Sequence, residues 1–305
     1  MDYIMVSERA ITAENFIVYE RAICKDNIKI PERILKERAV MTNEENFELT
    51  TRLNKDLKNA AKTLSASEAR YLVDLYYTVQ DYRKATTQQV TDEEPNLLLG
   101  WFADQHRMLE NNIKKALDIY TDNQEIGVWC KGITGIGPVI AAGLLAHIDI
   151  TKAPTVGSIW KFAGLDPSSK WEKGQKRPWN ADLKVLCWKI GESFVKVSGN
   201  ENDFYGKIYI ERKAQELLAN ERGDYKEKAE AVLKAKKIGK DTTAYEWYSQ
   251  GKLPPAHIHA RAKRYAVKLF LSHFFEMSYE HHYGKKAPEA YCFAHLGHAH
   301  KIEAP

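Results

Sequence analysis

WCKGITGIGPVIAAGLLAHIDITKAPTVGSIWKFAGLDP, residues 129–167, places Thr134-Gly135-Ile136-Gly137-Pro138 between two apolar segments, the pattern of a helix-hairpin-helix. Two glycines permit a tight reversal through backbone dihedrals closed to most residues. Pro138 then opens the second helix, where its missing N–H removes no helical bond. The amides of the hairpin and of that helix start, those of Gly135, Gly137 and Val139 included, point outward and can hold a phosphate. A nucleic-acid backbone is the ligand this implies. The plainer alternative is an αα turn whose glycines serve packing alone.

Working outward, the first helix of the pair ends at Gly132 and the second runs from Pro138 to about Ile148. Thr155 or Ser158 starts another through Phe162, and Gly164 ends it. Residues 167–179 are polar and basic, with Lys170, Lys173, Lys176 and Arg177 set around Trp171, Gly174 and Trp179. A helix from Asn180 to about Val197 turns Leu183, Leu186, Cys187, Ile190, Phe194 and Val197 toward a core. On the N-terminal side, Ile11–Ile23 is expected to be helical and Pro31 starts a further short segment. Thr42–Ala60 is highly charged, with Phe47, Leu49, Leu53 and Leu57 roughly on one face.

Ser65 followed by Ala66-Ser67-Glu68 reads as a capping box for a helix to about Lys84. Thr86–Pro95 reads as a polar linker. Leu97–Tyr120 is a long helix with a stripe that includes Leu98, Phe102, Leu109, Ile113 and Leu117. These two helices suggest an antiparallel hairpin or short coiled coil. Either it packs on the rest of the chain or it is a dimerisation arm, so a homodimer is one of the two expectations. Beyond Asn200, residues 204–219 and 225–237 read as charged helices, and a strong helix from Ala256 to about His282 returns to the core. The expected fold is all-α, a helix-hairpin-helix core flanked by long antiparallel helices. Its regions are 1–122, 123–199 and 200–305.

A chain of 305 residues can bury a full core. With 45 Lys and Arg against 41 Asp and Glu, the formal charge of +4 is too mild to establish nucleic-acid binding, so the placement of the lysines matters more. The four cysteines, Cys24, Cys130, Cys187 and Cys292, form no CxxC pair and fit a reducing compartment. No secretory pattern and no long apolar run is present, so a soluble, cytoplasmic protein with no membrane partner is expected.

Eight of the ten histidines lie between His257 and His300. Such density can build a metal site, and His257 and His259 with Glu289 or a tail histidine, His295, His298 or His300, are the set to inspect. There is no HExxH, and two histidines at a helix start splay apart. Packing, capping and solvation are the competing roles, and no cofactor is expected.

Residues 129–198, and more loosely the helix from Ala256 to Tyr279, resemble the C-terminal domain of the insertion-sequence transposases that pair a DEDD-type nuclease-like domain with a serine-containing transposase domain. The resemblance is carried by Gly132-Ile133-Thr134-Gly135-Ile136-Gly137-Pro138, by Leu144-Leu145-Ala146, and by Trp160-Lys161-Phe162-Ala163-Gly164-Leu165-Asp166-Pro167. It implies DNA as a partner and, since the family binds a guide RNA, structured RNA as well. The chain departs from the family at two points. The N-terminal region has no βαβ pattern and no assignable DEDD set. The family's serine directly before a glycine is replaced by Glu172-Lys173 before Gly174, while Ser168 and Ser169 are out of phase and read as turn residues.

The expected function is therefore binding of a DNA backbone without strand transfer. The expected contacts are Lys131, Gly135, Gly137, Val139, Lys170, Trp171, Lys173, Lys176, Arg177 and Trp179. Lysines neutralise phosphates, and tryptophans interleaved with them stack on unpaired bases or anchor the loop. The alternatives are an active DNA-processing enzyme (a transposase, recombinase or metal-dependent nuclease) and a helical interaction protein.

Overall fold

A computed structural model describes residues 52–90, 96–289 and 301–305. The segments expected at Ile11–Ile23 and from Pro31, the first part of Thr42–Ala60, Cys24, Cys292 and the three tail histidines lie outside the described residues. Those described form eleven α-helices and no strand. They are α1 (Lys55–Lys62), α2 (Ala66–Gln89), α3 (Leu97–Asp122), α4 (Glu125–Gly132), α5 (Pro138–His147), α6 (Val156–Phe162), α7 (Ala181–Val197), α8 (Tyr205–Glu221), α9 (Lys226–Ala235), α10 (Thr243–Ser249) and α11 (Pro255–Tyr283). None is long and apolar enough to cross a membrane.

The helix starts follow local chemistry. The Ser65 hydroxyl accepts from the Glu68 amide at 3.3 Å while the Glu68 carboxylate accepts from the Ser65 amide at 2.8 Å, closing the capping box on α2. Asn180 caps α7 by accepting from the Leu183 amide at 2.8 Å. Pro138 and Pro255 begin α5 and α11, and Gly284, at φ +64°, ends α11.

Two sequence expectations are corrected. The linker expected from Thr86 is helical to Gln89, because the Thr86 hydroxyl turns back to the Tyr82 carbonyl at 2.8 Å and is satisfied within the helix. The short helix α10 was not anticipated. Thr242 caps it, and Tyr248 packs with Tyr225 over a small core of Ala229, Leu253 and Ile258.

α2 and α3 run antiparallel. Asn123 donates to the Lys62 carbonyl at one end, and further along Gln80 and Arg83 reach Glu110 at 2.9 and 2.5 Å. The base of this arm buries Ala69, Val73, Leu117 and Tyr120 against Val139, Ala142 and Ala146 of α5. Its far end leaves Leu97, Leu98, Trp101 and Phe102 exposed. α11 threads the main core, where Phe270 meets Phe194 and Tyr205 edge-on at 5.6 and 5.3 Å. The Tyr205 hydroxyl pairs with His273 Nδ1 at 2.7 Å, and His273 Nε2 lies 2.7 Å from the Ile302 carbonyl, which ties Ile302 to α11.

Candidate nucleic-acid interface

The hairpin is a β-turn. The Ile136 amide donates to the Ile133 carbonyl at 2.9 Å, and Gly135, third in the turn, has φ +94° as a type II turn requires. A methyl group there would lie 3.1 Å from Val197 Cγ2 and 3.3 Å from Ser193 Oγ. The Ser193 hydroxyl donates to the Gly135 carbonyl at 2.5 Å and the Thr134 hydroxyl to the Asn202 carbonyl at 3.1 Å, so α7 and the turn after it hold the hairpin. Gly137 is exposed and caps α5 without a side chain, and the first turn of α5 carries no acid. The amides at this helix start, that of Val139 among them, have no place in the helical ladder. The Val139 side chain is buried, which leaves only its backbone to offer a ligand.

Lys131, beside the hairpin in sequence, is committed elsewhere. Its ammonium donates to Asp118 and Asp122, each at 2.5 Å. Burial works against its charge, but these two hydrogen bonds outweigh it and raise the lysine above its ordinary range.

Residues 167–179 form a loop folded on itself. Asp166 accepts from both the amide and the hydroxyl of Ser168 at 2.9 Å, bonds that hold its carboxyl below the usual range and make Ser168 a turn residue. The Trp171 indole N–H donates to the Gln175 carbonyl at 2.7 Å, and the Arg177 guanidinium lies 5.1 Å from the ring centre. Trp179 sits against Gly164, whose φ is +65° and where a Cβ would come within 2.8 Å of the indole, while the Lys184 ammonium covers the ring at 4.1 Å. Both tryptophans are thus engaged within the chain. Lys170, Lys173, Lys176 and Arg177 are exposed, and none makes an ion pair among the described residues.

The expected contacts fall into two groups. Gly135, Gly137 and Val139 stand where the C-terminal half of α7 meets the hairpin, and the basic loop leads into the N-terminus of the same helix. About 20 Å of helix separates them.

The structure adds residues that the sequence reading did not select. Lys184, whose ammonium covers Trp179, is held below the usual lysine range by burial and then by the charges of Arg264 and Arg177. Like charges brought together without a carboxylate between them repel, and an anion relieves that repulsion. Trp188, one turn beyond Lys184, is 60 % exposed. In sequence these are outward positions of a helix whose inward positions carried the legible pattern.

The described members of the histidine set do not come together. His257 Nδ1 lies 3.0 Å from the Tyr248 hydroxyl and His259 Nδ1 2.7 Å from that of Tyr209, so the two are held by different helices. Among the described residues, Glu289 included, no three His, Cys, Asp or Glu side chains are placed to share a metal ion. Cys130 and Cys187 are buried free thiols, pushed up to about 12 by burial. A cleft of about 820 Å³ opens at the ends of α4 and α5 remote from the hairpin, lined by Gln124, Ile148, Phe162 and Phe274 among others.

Residues 130–177 match the IS116/IS110/IS902 transposase family. The matched segment begins in α4, contains the hairpin, α5 and α6, and ends in the basic loop at Arg177. It is consistent with a distant transposase-related domain. No curated protein matches the chain, and no solved structure does.

Proposed function

We propose that this protein binds the backbone of a nucleic acid, DNA in the first instance, as a relative of the DEDD and serine-type transposase domain that does not carry out strand transfer. The observation that carries the reading is the group of exposed cations, Lys170, Lys173, Lys176 and Arg177, without carboxylate partners among the described residues, inside the segment that matches a transposase family. The uncapped start of α5 supports it with a second anion-binding element. Lys131, already neutralised by Asp118 and Asp122, has a structural part. Trp171 and Trp179 anchor the loop that presents the cations.

Binding of labelled duplex, single-stranded and branched DNA and of structured RNA by wild type and the Lys173→Ala/Lys176→Ala/Arg177→Ala variant tests the reading. Binding that the triple variant weakens supports it; no binding of any of these at low salt contradicts it. A second reading, self-association through the arm, is favoured by exposed Leu97, Leu98, Trp101 and Phe102 at its far end. Light scattering showing a dimer that Trp101→Glu dissociates supports it, and a monomer at high concentration contradicts it.

A further inference from the structure

α7 places Lys184, Val185 and Trp188 on its outward side, while Leu183, Leu186, Cys187 and Ile190 fill the core. Trp188 is 60 % exposed and Val185 52 %. Aromatic side chains of this size contribute strongly to interfaces when they are covered, and Trp188 offers such a ring on a solvated helix face. The Lys263 ammonium stands 5.9 Å from its ring centre but is paired with Glu192, and so brings little net charge. The charge beside the platform comes from Lys184, one helical turn before Trp188 on α7, and from Arg264, which follows Lys263 on α11 where that helix meets Trp188. Arg264 is exposed and has no ion pair among the described residues.

An exposed indole beside unpaired cations has the two components with which proteins hold unpaired strands: an aromatic face for a base and positive charge for its phosphates. The other tryptophans of this region are less exposed and carry a cation nearer the ring, Arg177 on Trp171 and Lys184 on Trp179. We propose that Trp188 stacks on an unpaired base of the bound nucleic acid, with Lys184 and Arg264 holding the flanking phosphates, so that the protein selects strands carrying unpaired bases over continuous duplex. This rests on the nucleic-acid reading above and narrows its ligand class.

The test uses the full chain and a duplex bearing one unpaired 2-aminopurine, beside the same sequence fully paired. Wild type is expected to quench the unpaired 2-aminopurine and to bind that duplex about tenfold more tightly than the paired one. Trp188→Ala is expected to abolish the quenching and the preference while binding paired duplex as before, and Trp188→Phe to retain most of both. Lys184→Ala/Arg264→Ala is expected to weaken both ligands. Because Trp188 lies outside the core, these variants should unfold at the wild-type urea midpoint. Equal binding of the two duplexes, unchanged by Trp188→Ala, would overturn the stacking role and leave backbone binding intact. Failure of wild type to bind either at low salt would overturn both.

Discussion

At Gly135 a positive φ coincides with side chains of α7 close to the missing methyl. Gly135→Ala is therefore expected to cost about 2 kcal/mol, most of it the penalty of a left-handed backbone for a residue with a Cβ. Urea unfolding measures it, and an unchanged midpoint would show that the hairpin relaxes freely. Glu216 is a different kind of constraint. It is 2 % exposed, and burial pushes its carboxyl up, but hydrogen bonds from Arg261, Tyr225 and Arg212 prevail and hold it at about 2. A pKa below the ordinary 4.5 means that the charged form stabilises the fold above about pH 4.5 and that this is lost as pH falls through about 2. The contribution is on the order of 3 kcal/mol. Glu216→Gln, which also strands two guanidinium groups, should lower stability by about that amount at neutral pH. The gap from wild type should close on acidification; a gap independent of pH would show that the carboxylate's charge is not what stabilises.

The helices divide into those whose ends speak and those whose ends do not. Ser65, Asn180 and Pro138 are local signals, and each starts its helix where the residue type alone predicts. Ser65→Ala should cost about 1 kcal/mol by removing the α2 cap. Thr86 carries a linker-like side chain, but its bond to the Tyr82 carbonyl lies on the helix surface, where composition says nothing of it. α10 is short, and it is held through Tyr248 on the small core of Ala229, Leu253 and Ile258 rather than by a periodic apolar face. The same distinction governs the site. The hairpin is legible because Gly-Ile-Gly-Pro is a backbone instruction, and the basic loop because Lys170, Lys173, Lys176 and Arg177 fall within one short segment. The pairing of Lys131 is not legible in the sequence because its partners, Asp118 and Asp122, come from the preceding helix. Lys184, Trp188 and Arg264 are not legible as a group because they lie on two helices, α7 and α11, far apart in sequence. The loop itself depends on Trp171. Trp171→Ala should speed tryptic cleavage at Lys173 and Lys176 several-fold without moving the unfolding midpoint; unchanged cleavage would mean that Arg177 and Gln175 hold the loop without the indole.

For the molecule as a whole, a formal charge of +4 hides an uneven distribution. Acids answer bases in the arm, where Arg83 meets Glu110, and in the α8–α11 contact, where Arg212 and Arg261 share Glu216. The loop before α7 has no such answer among the described residues. It lies about 20 Å along α7 from the hairpin, so a ligand that uses both must be extended, as a nucleic-acid backbone is. The measurement that tests this most directly is the dependence of binding on salt for the DNA or RNA that wild type binds best. Neutralising the four loop cations with Lys184 and Arg264 predicts a slope of log Kobs against log salt near −5 on duplex DNA, and the Lys173→Ala/Lys176→Ala/Arg177→Ala variant should flatten it by about 3. A slope near zero, or one that the triple variant leaves unchanged, would contradict backbone binding through this loop.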